Sequence, residues 1–334
     1  MPTPTPTWVR DPELGERFVQ TTLRFPPDYD GEVTATLVRN EPLVSPARGA
    51  VLYLHGFIDY FFQSHVADAF NGAGYNFYAL DLRKYGRSLA GATHPNFCKD
   101  FEEYFPEITS AIDIITAVEH HGAVVLNAHS TGALTGALYA RVGERRDRVT
   151  HLMLNSPFLE LPQGSVLSHI GALWGGLFPF GRIKDPVNPW YAKSLHADFK
   201  GEWRFNTTWK PIEGADAFYG WLRAVVAVQD RIKKGLGLEL PVLVMHSDRS
   251  EKGKEWSDTF HRADLVLDVT DIKRLAPKLG RHTEMREIAG GKHDLVLSCG
   301  DARKECLRVM LAWIARPVGG ESSGLPADRH PQGA

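Results

Sequence analysis

The stretch Ala123-Val124-Val125-Leu126-Asn127-Ala128-His129-Ser130-Thr131-Gly132-Ala133-Leu134 decides the fold. Residues Ala123–Asn127 form a short apolar, β-rich run, and Ala133–Val142 a helical one, so strand turns to helix within a few residues. A turn that sharp holds its middle residue at a strained, exposed tip and needs small residues two positions before and after it. Ser130 stands at that tip, flanked by Ala128 and Gly132. The same turn leaves the Thr131 backbone N–H at a helix start, where unpaired donors and the positive dipole end can stabilise an oxyanion.

Further short apolar runs surround this one. Val51–Leu54, Asn76–Leu80, His151–Leu154, Pro241–Met245 and Met285–Ile288 read as strands alternating with helical patterns, the signature of a mostly parallel sheet covered by helices. Phe101, Tyr104, Phe105, Ile108, Ala111, Ile112, Ile115 and Val118 recur at helical spacing and give one apolar stripe. Phe18–Phe25 and Val33–Val38, around a turn-like Pro26-Pro27-Asp28-Tyr29-Asp30-Gly31, read as an antiparallel hairpin at the sheet edge. The alternation breaks over residues 161–236, which hold five of the eight tryptophans, Trp174, Trp190, Trp203, Trp209 and Trp221. An aromatic-rich insertion after a strand suggests a lid or cap; the plainer reading is a helical subdomain with its own core. The expected organisation is a core over 15–160 and 237–316, a cap over 161–236, and disordered ends at 1–14 and 317–334.

Composition narrows the classes of function. A 334-residue chain with 43% hydrophobic and 23% charged residues has the balance of a soluble globular protein. Lys plus Arg number 38 against 40 Asp plus Glu, a formal charge of −2, so no long-range field would recruit nucleic acid or an anionic membrane. The three cysteines, Cys98, Cys299 and Cys306, form no CxxC pair and support neither a disulfide framework nor a cysteine zinc site, which fits a reducing cytoplasm. The first residues alternate Pro and Thr and lack the apolar core of a secretory signal. The uncharged stretch Leu161 to Gly181 approaches bilayer-spanning length, but Pro162, Pro179 and several glycines argue against stable membrane insertion.

A serine hydroxyl is a weak nucleophile at neutral pH and needs a base, which needs an orienting carboxylate. The best candidate base is His293, in Gly290-Gly291-Lys292-His293-Asp294 directly after the last strand. For the acid, Asp264 precedes His293 by 29 residues, room for one short loop, one helix and one strand, and is preferred over the alternative acid, Asp248, which follows the strand Pro241–Met245 almost at once. With Asp264 as acid, Arg249 to Ala263 is an insertion that carries the chain out and back. Upstream, Leu52-Tyr53-Leu54-His55-Gly56-Phe57 ends a strand with His-Gly, and the N–H of Phe57 can supply the second oxyanion donor.

The order His-Gly, then Asp81-Leu82-Arg83-Lys84-Tyr85-Gly86-Arg87-Ser88, then A-x-S-x-G, a cap, an acidic loop and Gly-Lys-His resembles the α/β-hydrolase superfamily, and within it the monoacylglycerol lipase, lysophospholipase and serine-aminopeptidase-like branch. The resemblance covers about residues 15 to 316. It implies an α/β-hydrolase fold with Ser130, Asp264 and His293 as catalytic triad and Phe57 and Thr131 as oxyanion donors, with Asp81 and Ser88 securing a loop. Two departures stand out: Ala128 where the branch has glycine, and the long segment ahead of Asp264.

The expected function is a serine esterase acting on a small-molecule or lipid-like ester with an apolar acyl group, since the aromatic cap and Phe57, Phe61 and Phe62 offer an uncharged lining. No metal-ligand spacing, Walker loop or Rossmann fingerprint occurs, so neither a metal nor an organic cofactor is expected. A peptidase or an acyltransferase on the same triad, or a non-catalytic ligand-binding member of the fold, are the alternatives. A peptidase would need carboxylates near the cap for a substrate amine, and Glu202, Glu213 and Asp216 are available.

Overall fold

The computed structural model describes residues 5–89, 91–161, 173–184 and 188–316. Its centre is a nine-stranded sheet made of β1 (Val9–Asp11), β2 (Gly15–Asp28), β3 (Gly31–Asn40), β4 (Gly49–Leu54), β5 (Tyr75–Asp81), β6 (Val124–His129), β7 (Val149–Asn155), β10 (Val242–Ser247) and β11 (Thr283–Ile288). The order across the sheet is β1-β2-β3-β5-β4-β6-β7-β10-β11. The β2–β3 hairpin joins antiparallel to β5, and from β5 through β11 the strands are parallel. Every residue of β5 and of β6 is buried, as expected of strands covered on both faces.

Successive side chains of a strand face opposite sides. In β4, Leu52 and Leu54 join one apolar layer and Val51 and Tyr53 the other. The first layer takes in α2 (Phe105–Asp113) and α3 (Thr131–Val142), the second α1 (Ser64–Gly72) and α7 (Gly300–Ile314). Chain direction across the sheet reverses at β4, with β5 on one side and β6 on the other. In open parallel sheets such a reversal opens a crevice at the carboxyl ends of the strands. The loops after β4 and β6 carry His55-Gly56 and Ser130.

The apolar stripe Phe101 to Val118 is not one regular helix. A tight turn, Phe101–Tyr104, is capped by the Asp100 carboxylate accepting the Glu102 N–H at 2.9 Å, α2 follows, and a wider turn, Ile114–Val118, closes it. Pro106 has no N–H to donate and sits in the first turn of α2, where none is needed.

Between β7 and β10 the described chain forms a two-residue ladder, β8 (Arg182–Ile183) with β9 (Ala217–Phe218), and two helices, α4 (Pro189–Leu195) and α5 (Tyr219–Lys233). Trp221, Leu222, Val225 and Ile232 of α5 belong to the same apolar layer as α3, so this helix shares the main core. α6 (Val269–Leu275) lies between β10 and β11.

Ordered structure begins ahead of residue 15. β1 pairs with β2, and the fully buried Asp11 accepts from Arg87 Nε at 2.6 Å, so residues 9–14 are held by a strand ladder and a buried ion pair that no apolar run announces. Residues 1–4, 90, 162–172, 185–187 and 317–334, which include parts of the expected cap and ends, lie outside the described residues. Among the described residues no helix is long and apolar enough to cross a membrane.

Candidate active site

Ser130 stands between β6 and α3 with φ at +54°, a left-handed value that costs a non-glycine residue energy and persists only when its surroundings hold it. Its N–H donates to the Asn155 carbonyl of β7 at 3.0 Å, and its carbonyl accepts from Ala133 at 3.1 Å and Phe158 at 3.2 Å. A methyl on Gly132 would stand 2.2 Å from the His55 carbonyl oxygen, so only glycine lets α3 approach the β4 loop this closely. Ala128 also has a packing explanation. A methyl on Gly136 would come within 3.3 Å of the Ala128 Cβ, so the glycine on the facing helix leaves room for the Ala128 methyl.

His293 follows β11, and its Nε2 lies 3.0 Å from Ser130 Oγ. Its Nδ1 lies 3.0 Å from Asp264 Oδ2, and Asp264 is fully buried. The other oxygen, Asp264 Oδ1, accepts the N–H groups of Val266 and Leu267, both at 2.8 Å. Asp264 reaches this place because the chain leaves at Arg249 and returns at residue 264: the Asp264 N–H donates to the Arg249 carbonyl at 3.0 Å, and Glu251 N–H to the Asp264 carbonyl at 2.9 Å. Asp248 is not brought to the histidine. It accepts from Gly290 N–H at 2.8 Å and pairs with the exposed Arg249 at 2.6 Å, and both bonds hold its carboxyl below the ordinary range against the opposing effect of burial.

His55 organises the β4 loop. Its Nε2 accepts the Leu82 N–H at 3.1 Å, which places the proton on Nδ1, and Nδ1 donates to the Gly56 carbonyl at 2.8 Å. In a trans peptide the carbonyl and the next N–H point opposite ways, so this bond turns the Phe57 N–H away from the His55 ring. Burial holds the imidazoles of His55 and His129 below their usual pKa. Phe57 stacks on Trp221 with ring centroids 4.0 Å apart. Asp81 accepts from Phe61 N–H at 2.9 Å and from Arg87 Nη1 at 2.8 Å, and Ser88 Oγ donates to the Asp81 carbonyl at 3.0 Å, so both secure the loop after β5.

A second buried network goes unannounced by the sequence motifs. Asp294, fully buried, accepts from Asn155 Nδ2 at 2.7 Å and Gln63 Nε2 at 3.0 Å, stitching the loops after β11, β7 and β4 together. Asp59, His129 and Asp294 bring one potential metal-ligand atom each within 4.8 Å of one another. Their chemistry fits a metal poorly, because Asp59 already pairs with Lys210 Nζ at 2.8 Å and both oxygens of Asp294 accept hydrogen bonds.

A cavity of about 280 Å³ opens above Ser130 and His293. Phe57, Leu161, Ile183, Tyr191, Trp221 and Leu222 make it largely apolar, with Lys210 and Asp59 as a polar corner. Of the three phenylalanines expected to line it only Phe57 does; Phe61 and Phe62 are buried among core residues.

Residues 45–298, well over half of the chain, match the family model described as Serine aminopeptidase, S33. No curated protein matches the sequence. Among solved structures, the chain is similar to the monoacylglycerol lipase of Paleococcus ferrophilus, with 20% identity, 85% of this chain and 98% of that chain covered, and a TM-score of 0.64. It is similar to a soluble variant of monoglyceride lipase from Saccharomyces cerevisiae at 16% identity, with 89% and 96% of the two chains covered and a TM-score of 0.65. A thermostable carboxyl esterase from Bacillus coagulans gives 15% identity, 88% and 97% coverage and a TM-score of 0.62. At such identities the likeness speaks for the fold. The chain belongs to the serine aminopeptidase S33 family of hydrolases and has the α/β-hydrolase fold.

Proposed function

We propose that this protein hydrolyses carboxylic esters with an apolar acyl group through an acyl-serine intermediate. The observation that carries the reading is the unbroken line Ser130 Oγ, His293 Nε2, His293 Nδ1, Asp264 Oδ2, with 3.0 Å at each gap, opening on a largely apolar cavity. Ser130 Oγ attacks the ester carbonyl while His293 Nε2 takes its proton; Asp264 holds the proton on Nδ1 and stabilises the imidazolium. The N–H groups of Phe57 and Thr131 receive the oxyanion, and the imidazolium returns its proton to the departing alcohol. Water, deprotonated by His293, then attacks the acyl-serine and releases the acid and Ser130. In this reading residues 161–236 act as the cap, since Tyr191, Lys210 and Trp221 of this segment line the cavity, while its helix α5 also packs into the main core.

The family description raises aminopeptidase activity as a second reading, and one observation weighs against it. An aminopeptidase must hold a substrate ammonium with a free carboxylate. Glu202, Glu213 and Asp216 are paired with Arg303 at 2.9 Å, Lys193 at 3.0 Å and Arg182 at 3.6 Å, and none lines the cavity. Asp59 does line it, but is neutralised by Lys210. The test compares p-nitrophenyl butyrate with alanine p-nitroanilide. Turnover of the ester with little or none of the anilide is expected; preference for the anilide would overturn the ester reading.

A further inference from the structure

Lys292 immediately precedes the proposed base and is 2% exposed. An ammonium so deeply buried ordinarily has a carboxylate partner. Lys292 Nζ instead donates to a neutral acceptor, the Ser194 carbonyl in the last turn of α4, at 2.6 Å. Burial lowers its pKa, and Cys299, Glu202, Arg303 and His261 are among the titratable groups around it. A methionine of similar shape would avoid the desolvation cost but leave the Ser194 carbonyl without its donor, two effects of similar size and opposite sign, so stability gives little net reason for a lysine here.

What the bond connects gives a reason. α4 is a wall of the cavity through Pro189, Tyr191 and Ala192, and the Tyr191 ring meets the His293 ring edge-on at 5.4 Å. On the other side of Lys292, its own N–H is held by Ser298 Oγ at 2.8 Å. The lysine therefore spans from the wall that would hold the acyl chain to the loop that carries the histidine. We propose that Lys292 is a positioning residue that ties the His293 loop to helix α4 and so fixes the imidazole against Ser130. This rests on the reading of His293 as base.

Lys292→Met and Lys292→Arg, compared with wild type for Tm and for kcat and KM on p-nitrophenyl butyrate, test the proposal. A displaced base costs turnover rather than binding, and a shift on the order of 1 Å costs about 10²-fold. For Lys292→Met we expect Tm within about 3 °C of wild type or higher, kcat lower by at least about tenfold and KM within about twofold. Lys292→Arg keeps the donor and should recover most of kcat. Wild-type kcat in the methionine variant, a loss lying in KM, no recovery with arginine, or a collapse of Tm would each overturn the proposal, the last by making Lys292 a structural clamp. Wild-type turnover separates the two levels: without it the esterase reading fails, whereas with it a fully active methionine variant removes only the role of Lys292.

Discussion

Asp264→Asn is the most informative single change to the site. Asparagine keeps the shape of the side chain, and its one carbonyl oxygen can still accept from Val266 and Leu267, where Asp264 Oδ1 does now. The NH2 group then faces His293 Nδ1, where Oδ2 stands at 3.0 Å. Two N–H donors cannot face each other, so the imidazole moves its proton to Nε2. Nε2 is the atom 3.0 Å from Ser130 Oγ, and once protonated it cannot accept the hydroxyl proton. A wrong tautomer of this kind lowers kcat by about 10⁴-fold, or about 5.5 kcal/mol of transition-state stabilisation. The folded state loses the His293 bond, about 1.5–3 kcal/mol, and keeps the Val266 and Leu267 bonds in a weaker, neutral form. Steady-state turnover of p-nitrophenyl butyrate, with Tm measured alongside, separates the two effects. Asp248→Asn is the control: its carbonyl can still accept from Gly290, and it gives up a pair with the exposed Arg249 worth about 0–1 kcal/mol, so kcat should stay within about twofold. The reasoning is refuted if Asp264→Asn keeps more than about a tenth of wild-type kcat, a smaller loss than a wrong tautomer can produce, or if Asp248→Asn is the variant that loses turnover.

Gly132→Ala places a methyl 2.2 Å from one backbone oxygen and 2.7 Å from another, neither of which can swing aside, so kcat should fall about 10²-fold with a loss of about 1–3 kcal/mol in stability; unchanged kinetics would mean that the β4 loop and α3 need not touch. Along a series of p-nitrophenyl esters from acetate upward, each methylene buried in the apolar cavity should add about 0.8 kcal/mol, roughly fourfold in kcat/KM, until the cavity is full, and a flat series would contradict an acyl role for it. Burial lowers the pKa of His55 and His129 in the fold, whereas the unfolded chain takes up protons near pH 6.5. Below that pH the unfolded state binds more protons, so stability is lost by about 1.4 kcal/mol per pH unit for each group until its lowered pKa is reached; urea unfolding at pH 7.5 and pH 5.5 measures it, and equal stability at the two would count against both.

The strands were legible because a parallel sheet buried on both faces needs short apolar runs, and β4 to β7 carry them with little else. Ser130 was legible for a similar reason, since a strand-to-helix turn constrains residues within two positions of itself. Residues that act across large separations left weaker signals. Gln63, Asn155 and Asp294 meet only because the loops after β4, β7 and β11 converge at one edge, and nothing local to any of them announces the meeting. The available hint was an aspartate directly after the candidate base and an asparagine at the end of a strand. The Lys210–Asp59 pair was similarly hidden, since the path of the chain between β7 and β10 is set by tertiary contacts such as Asn206 N–H to Tyr60 Oη at 2.6 Å rather than by periodicity. At the N-terminus, β1 was missed because three residues are too few to show an alternation.

The most direct measurement of the central claim is the mass and position of a fluorophosphonate adduct. If Ser130 is the activated nucleophile, the wild-type protein gains one phosphonyl group, peptide mapping places it on Ser130, and Ser130→Ala gains none. No adduct on the wild type, or an adduct that persists in Ser130→Ala, would contradict the catalytic role of Ser130.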